Sequence, residues 1–211
     1  MTRTLIIIGA GGFGREVFSI IQAINSVRRE WIVEGFVDDG PTSETTRAVA
    51  ALGSRILGPV GLLQESPHYW SIAAVGSPLA RRRLVEQLST SRVSWATLIH
   101  PAATLGVNIG VGAGTVIAPG ARLSTNIAVG NHAHVDQNVT VGHDSVLGNF
   151  SRLNPLACIS GNVTVADDAL VGASATILQG LTVGQGAVVG AGAVVVRSVP
   201  PRSTVKGVPA S

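Results

Sequence analysis

From Ile99 to Val195 the chain carries a large aliphatic residue at every sixth position: Ile99, Leu105, Val111, Ile117, Leu123, Val129, Val135, Val141, Leu147, Leu153, Ile159, Val165, Val171, Ile177, Val183, Val189 and Val195. The residue after each is usually small or polar, as at Gly106, Gly112, Ala118, Ser124, Gly130, Gly142, Gly148, Ser160, Gly172, Gly184 and Gly190. The residue two before is usually Ala, Ser, Thr or Val. Neither a helix nor a hairpin sheet has a period of six. The period fits a parallel β-helix, in which short strands of successive coils pair with one another and no unit is stable alone. The aliphatic residue points inward and stacks on its copy one coil along, while the small residues let the chain turn without Cβ clashes. Three hexads per coil place residues eighteen apart above one another, so the seventeen hexads make nearly six coils, roughly 27 Å long at the ~4.8 Å spacing of paired strands.

The pattern resembles the left-handed β-helix of the hexapeptide-repeat acyltransferases. The left hand is implied by that resemblance alone, because crossovers between parallel strands are otherwise right-handed.

At 211 residues the chain has room for one or two domains and a sizeable core. Only 13% of residues are charged and 4% aromatic, and the mean hydropathy of +0.40 raises the question of a membrane. No stretch reaches the ~18 unbroken apolar residues of a spanning helix, and a periodic solenoid core accounts for the hydropathy. Met1 is not followed by a charged-then-apolar leader with a small-residue cleavage site, and the single Cys158 excludes an internal disulfide. Both features point to a cytoplasmic protein. The net charge is +3. The basic residues are nearly all arginine, and their one tight cluster, Arg81-Arg82-Arg83, has no interleaved aromatics, so no nucleic-acid partner is expected.

Residues 1–95 have a different texture. An aliphatic run from Leu5 to Ile8 leads into Gly9-Ala10-Gly11-Gly12-Phe13-Gly14 and then into an amphipathic segment from Arg15 to Ile21. Strand, glycine turn and helix in that order place backbone N–H groups and a helix N-terminus where they can hold a phosphate. A second strand, Ile32 to Val37, ends at Asp38-Asp39. Shorter strands are expected around Arg55 to Leu57 and Ser71 to Val75, followed by Gly76-Ser77-Pro78 and a helix from about Leu79 to Leu88. Gly9, Gly11 and Gly14 complete a G-x-G-x-x-G spacing, yet only about four strands fit before the solenoid begins. A full dinucleotide site needs six, so a nucleotide diphosphate is a better expectation than NAD. The expected divisions are an α/β nucleotide-sugar-binding domain over 1–95, a β-helix over 96–198 and a tail over 199–211.

Within the solenoid the chemically versatile residues are His132, His134, Asp136, Asn138, His143, Asp144, Arg152 and Asn154. The other coils are nearly bare of titratable groups, apart from Asp167-Asp168. Metal ligands from one chain should recur near an eighteen-residue offset. The three histidines do not, so no metal is expected. His143 follows the small Gly142 and stands near a corner, outside the core. Asp144 beside it can orient the ring or stabilise an imidazolium, which makes His143 a candidate general base.

Val141-Gly142-His143-Asp144-Ser145-Val146-Leu147-Gly148 does not stand alone. Gly9 to Glu16, Gly35-Phe36-Val37-Asp38-Asp39, Ala74-Val75-Gly76 before Arg81, Leu98-Ile99-His100 and Gly207-Val208-Pro209-Ala210 accompany it in order. The set resembles the nucleotide-sugar acetyltransferases of the bacillosamine and perosamine N-acetyltransferase type, with the sialic acid O-acetyltransferases as relatives. The resemblance implies a homotrimer with sites between subunits, a nucleotide-sugar substrate and acetyl-CoA lying in the groove between two helices. It makes His143 the base and Asp144 its carboxylate partner. It puts Asp38 and Asp39 at the nucleotide base, Gly11, Gly12 and Phe13 at the sugar diphosphate, and Gly76, Arg81 and Asp136 on the substrate side. Arg152, Gly161, Ala173 and Ala191 fall on the cofactor side. Arg152 stands where the bacillosamine enzymes have a histidine near the acetyl carbonyl, Asp136 where they have an asparagine, and Phe13 where they have another histidine. An arginine can donate to an oxyanion but cannot shuttle a proton near neutrality.

The leading expectation is acetyl transfer from acetyl-CoA to the amine of a nucleotide-linked 4-amino-4,6-dideoxy sugar, directly and without an acyl-enzyme, since Cys158 has no base beside it in sequence. Acetylation of a sugar hydroxyl or another small amine, and a non-catalytic nucleotide-binding scaffold, are the alternatives.

Overall fold

A computed structural model describes residues 2–65 and 69–211. The chain divides into two compact units, Met1–Leu98 and Ile99–Ser211.

The first unit runs β1 (Arg3–Ile8), α1 (Gly12–Val27), β2 (Trp31–Val37), α2 (Ser43–Ala51), β3 (Ile56–Gly58), α3 (Leu62–Glu65), β4 (Trp70–Ala73), α4 (Pro78–Gln87) and β5 (Ser94–Trp95). The sheet order is β3-β2-β1-β4-β5, with every pairing parallel. β1 lies at the centre and is flanked on both sides, so Leu5, Ile6, Ile7 and Ile8 are all buried, as a central parallel strand requires. α1 buries Val17, Phe18, Ile20 and Ile21, and Phe18 meets Phe36 of β2 at 6.0 Å between ring centroids. The expected four strands are five. The added strand, β5, is two residues long, too short to register as a hydrophobic period. The order reverses between β1 and β4, and in open α/β sheets ligands bind at the carboxyl end of such a switch point.

The second unit contains three sheets of short parallel strands, with six, five and seven members. The register is the hexad arithmetic made visible. Leu123 pairs with Leu105 on one side and Val141 on the other, and Val135 with Ile117 and Leu153. From Ile117 to Val195 every hexad residue is buried, whereas Ile99 in the first coil is 36% exposed because no coil precedes it. The alanines and valines two positions earlier, such as Ala121, Ala157 and Ala175, complete the core. Corner residues adopt the left-handed backbone, among them Asn108, Asn126, Asn138 and Asp144, whose short polar side chains tolerate it. Together the coils form a left-handed parallel β-helix of triangular section.

Residues 199–211, expected as a tail, instead continue the stack. Val199 bridges Val183, and Thr204–Val205 pairs with Val188–Val189, so the last coil repeats after sixteen residues rather than eighteen. Among the described residues, no helix is long and apolar enough to cross a membrane.

Candidate active site

Two places carry chemistry, one in each unit. In the α/β unit the chain leaves β1 through Gly9, whose φ of +100° suits glycine. Gly14, on the first turn of α1, packs directly on the Gly9 carbonyl, where a Cβ has no room. Gly11 caps α1 with no side-chain bond, and no acidic residue lies in the first turn. The positive end of a 16-residue helix therefore faces open space, since nothing lies within 4 Å of where side chains at Gly11 and Gly12 would start. Such an end favours an anion. Phe13 follows on the same turn, partly exposed.

The acidic pair has a structural task of its own. Asp38 accepts from Ala10 N–H at 2.8 Å and from Gly40 N–H at 2.9 Å, pinning the glycine turn to the end of β2. Asp39 Oδ1 accepts from Val60 N–H at 2.8 Å. With Gly9, Val60, Val75 and Leu84, the pair lines a cavity of about 190 Å³ at the carboxyl edge of the sheet. Arg81, expected on the substrate side, is instead fully buried. Its Nη1 donates to the carbonyls of Val75 at 2.7 Å and Gly76 at 3.4 Å, so it braces the loop that carries Gly76.

In the β-helix, His143 and Asp144 form a corner that follows Gly142 and the buried Val141. Asp144 N–H donates to Thr125 O of the preceding coil, and His143 O accepts from Asn162 N–H of the next, which fixes the corner from both sides. His143 Nδ1 lies 2.7 Å from Asp144 Oδ2, and both side chains are 52% exposed. The His143 bond, then a bond from Asn126, hold the Asp144 carboxyl below the usual carboxylate range. An ionised carboxylate only accepts, so it retains the proton on Nδ1 and leaves the Nε2 lone pair available. The ring lies over Gly161, one coil on, where a Cβ would stand 2.5 Å from Nε2. Beside this corner an open, largely apolar trough of about 480 Å³ runs along Thr104, Arg122, Leu123, Thr140, Val141 and Gly142.

The remaining expected residues lie elsewhere. Ala173 and Ala191 stack on a different corner of the same chain, where Gly192 N–H donates to Ala173 O. A single chain therefore does not bring them to Gly161. Asp136 is buried, and its Oδ2 takes both Nε and Nη2 of Arg152, at 3.1 and 2.9 Å. The anion expected beside an acceptor amine is thus compensated within the chain, and Arg152 is committed to it. His132 is buried and stacked on Phe150, with centroids 5.0 Å apart. Cys158 is an exposed free thiol. Among the described residues, no group of three or more His, Cys, Asp or Glu could hold a metal. Sequence reasoning passed over Asn126 and the steric part of Gly161. Each sits eighteen residues from the dyad, an offset readable once the coil length is known.

Residues 4–88 match the PglD N-terminal domain family. No curated protein sequence matches the chain. Solved structures match over nearly its whole length. The acetyltransferase domain of PglB from Neisseria gonorrhoeae is 29% identical with a TM-score of 0.86, covering 100% of this chain and 99% of that one. Perosamine N-acetyltransferase from Caulobacter crescentus, as a variant complexed with CoA and GDP-perosamine, is 30% identical with a TM-score of 0.87, covering 99% and 95%. WeeI from Acinetobacter baumannii is 28% identical with a TM-score of 0.85, covering 100% and 99%. With a glycine turn at a sheet switch point and a His–Asp corner on a hexad-built prism, the chain belongs to the nucleotide-sugar acetyltransferases that join a PglD-type N-terminal domain to a left-handed β-helix.

Proposed function

We propose that the protein transfers the acetyl group of acetyl-CoA directly to the amine of a nucleotide-linked 4-amino-4,6-dideoxy sugar, with His143 as general base. The observation that carries this reading is the 2.7 Å contact between His143 Nδ1 and Asp144 Oδ2 on an exposed corner. The amine nitrogen attacks the thioester carbonyl, and Nε2 accepts the proton the amine must lose. The tetrahedral intermediate then expels the CoA sulfur, the C–S bond breaks, and the imidazolium returns the proton to the departing thiolate. An amide and free CoA result, and the imidazole is neutral again. Asp144 stabilises the imidazolium while it exists.

A free amine is a competent nucleophile, so the larger contribution is alignment of amine and thioester. The 480 Å³ trough that Gly142 helps to line supports a groove for the pantetheine arm. The open N-terminus of α1 and the 190 Å³ cavity support a place for the diphosphate and nucleoside. A homotrimer supplies what one chain lacks. Ala173 and Ala191 of one protomer can wall the same groove as Gly161 of its partner only if corners of two prisms face each other.

The test mixes the protein with acetyl-CoA and GDP-perosamine and follows thiol release and the N-acetylated product. The reading expects both, together with a trimeric mass in solution. Thiol release with no N-acetyl product, or none across nucleotide 4-aminosugars, rejects it.

A further inference from the structure

The dyad does not end at Asp144. On this edge of the prism, Asn108, Asn126 and Asp144 sit eighteen residues apart, each with left-handed backbone at φ +59°, +54° and +58°. Their side chains are joined in series. Asn108 Nδ2 donates to Asn126 Oδ1 at 2.9 Å, Asn126 Nδ2 donates to Asp144 Oδ1 at 3.1 Å, and Asp144 Oδ2 meets His143 Nδ1 at 2.7 Å. Chemistry fixes the direction of this chain. An ionised carboxylate has no proton to give, so Asn126 must turn its NH2 towards Asp144, and its carbonyl then faces the donor on Asn108. Each Asp144 oxygen thus has a different partner, one on its own corner and one on the coil before. On the far side the ring has room only because Gly161 lacks a Cβ. Three successive coils therefore define where the imidazole stands.

We propose that Asn126 is a positioning residue for the transfer: it fixes the carboxylate plane of Asp144 and, through it, the orientation of His143 above Gly161. This rests on His143 being the base. A role confined to forming the corner would need only an αL-tolerant residue. A positioning role needs the amide donor itself.

Two variants separate these roles without disturbing the backbone. Asn126→Gly keeps the left-handed corner, which glycine adopts freely, and removes the amide. Asn126→Asp keeps the shape and turns an acceptor towards Asp144. With acetyl-CoA and GDP-perosamine, both variants lower kcat about tenfold while both KM values stay within about twofold, the pattern of an interaction used in the transition state. Proton NMR provides a readout that needs no substrate. The His143 Nδ1 proton resonance, held by the Asp144 bond in the unaltered protein, broadens or disappears in both variants. Unchanged kcat and an unchanged Nδ1 resonance in Asn126→Gly overturn the proposal. So does a fall in kcat that simply follows loss of folded protein in a melting curve. His143→Ala, assayed alongside, distinguishes the two layers. If it is inactive while Asn126→Gly is unimpaired, only the positioning role fails. If it keeps full activity, the base assignment fails, and the positioning role fails with it.

Discussion

His132 and His143 each lie over a glycine and behave differently. Each imidazole lies over a glycine of the adjoining coil, Gly114 for His132 and Gly161 for His143, and neither would fit if that glycine carried a Cβ. His132 is sealed against Phe150, and nearby Asp136 is neutralised by Arg152. His143 is half exposed beside a carboxylate that is itself half exposed. The repeat supplies a corner in every hexad, with His132 on its left-handed residue and His143 on the residue before it. What it does not dictate is which corners stay open, and that difference separates a structural histidine from one that can exchange a proton with a ligand.

The sharpest way to break the comparison is to truncate each histidine. His143→Ala should lower kcat by about 10²–10⁴-fold, the usual contribution of a positioned acid–base group, with little change in melting temperature. His132→Ala should do the reverse, destabilising by about 2–4 kcal/mol as a buried ring is replaced by a cavity, while activity per folded molecule persists. Steady-state kinetics and thermal melts on the pair decide it.

Asp136→Ala comes next. It removes the carboxylate paired with a guanidinium that is only 16% exposed, and removing one partner of such a pair costs about 3 kcal/mol. Denaturant titration should show that loss, and an unchanged midpoint would mean that the ion pair is not needed to hold Arg152.

Gly161→Ala tests the seat of the catalytic ring directly. A Cβ there pushes Nε2 aside, and a displacement on the order of 1 Å can cost about 10²-fold in rate. The half-exposed ring can swing outward, so stability should scarcely change. Retention of full kcat would show that the ring need not lie over Gly161.

The smallest effect concerns His100. Burial holds its pKa below the ordinary 6.5, and its Nδ1 accepts from Ala102 N–H at 3.0 Å, a bond that protonation destroys. Near pH 6 the unfolded chain binds more protons than the folded one, so this contribution is complete above the ordinary value and is lost as pH falls through the folded one. Melting temperature should decline slightly from pH 7.5 to pH 5, and His100→Asn should flatten that part of the decline.

Much of this was legible in the sequence because the physics is periodic. One inward aliphatic every six residues fixes the strand faces and the stacking partners eighteen residues away. The same arithmetic leads from Asp144 to Asn126 and from His143 to Gly161, although spacing alone does not reveal hydrogen-bond direction or the room a ring needs. Other features left no signal. β5 is two residues long, and α2 buries little beyond Val49, so neither produces a hydrophobic period. The family resemblance puts Arg81 on the substrate side, but the structure buries it and turns its guanidinium to the carbonyls of Val75 and Gly76, a setting that spacing does not reveal. The family resemblance puts Asp38 at the nucleotide base, and spacing does not reveal that its oxygens also accept from the backbone N–H groups of Ala10 and Gly40. The shortened last coil escaped the hexad count because Val199 and Val205 return after sixteen residues.

The central claim is most directly tested by following thiol release from acetyl-CoA with GDP-perosamine as acceptor, comparing the unaltered protein with His143→Ala at matched folded concentration. The account predicts rapid release coupled to N-acetyl product from the first and almost none from the second, with coincident melting curves. Release by the variant at the unaltered rate would contradict it.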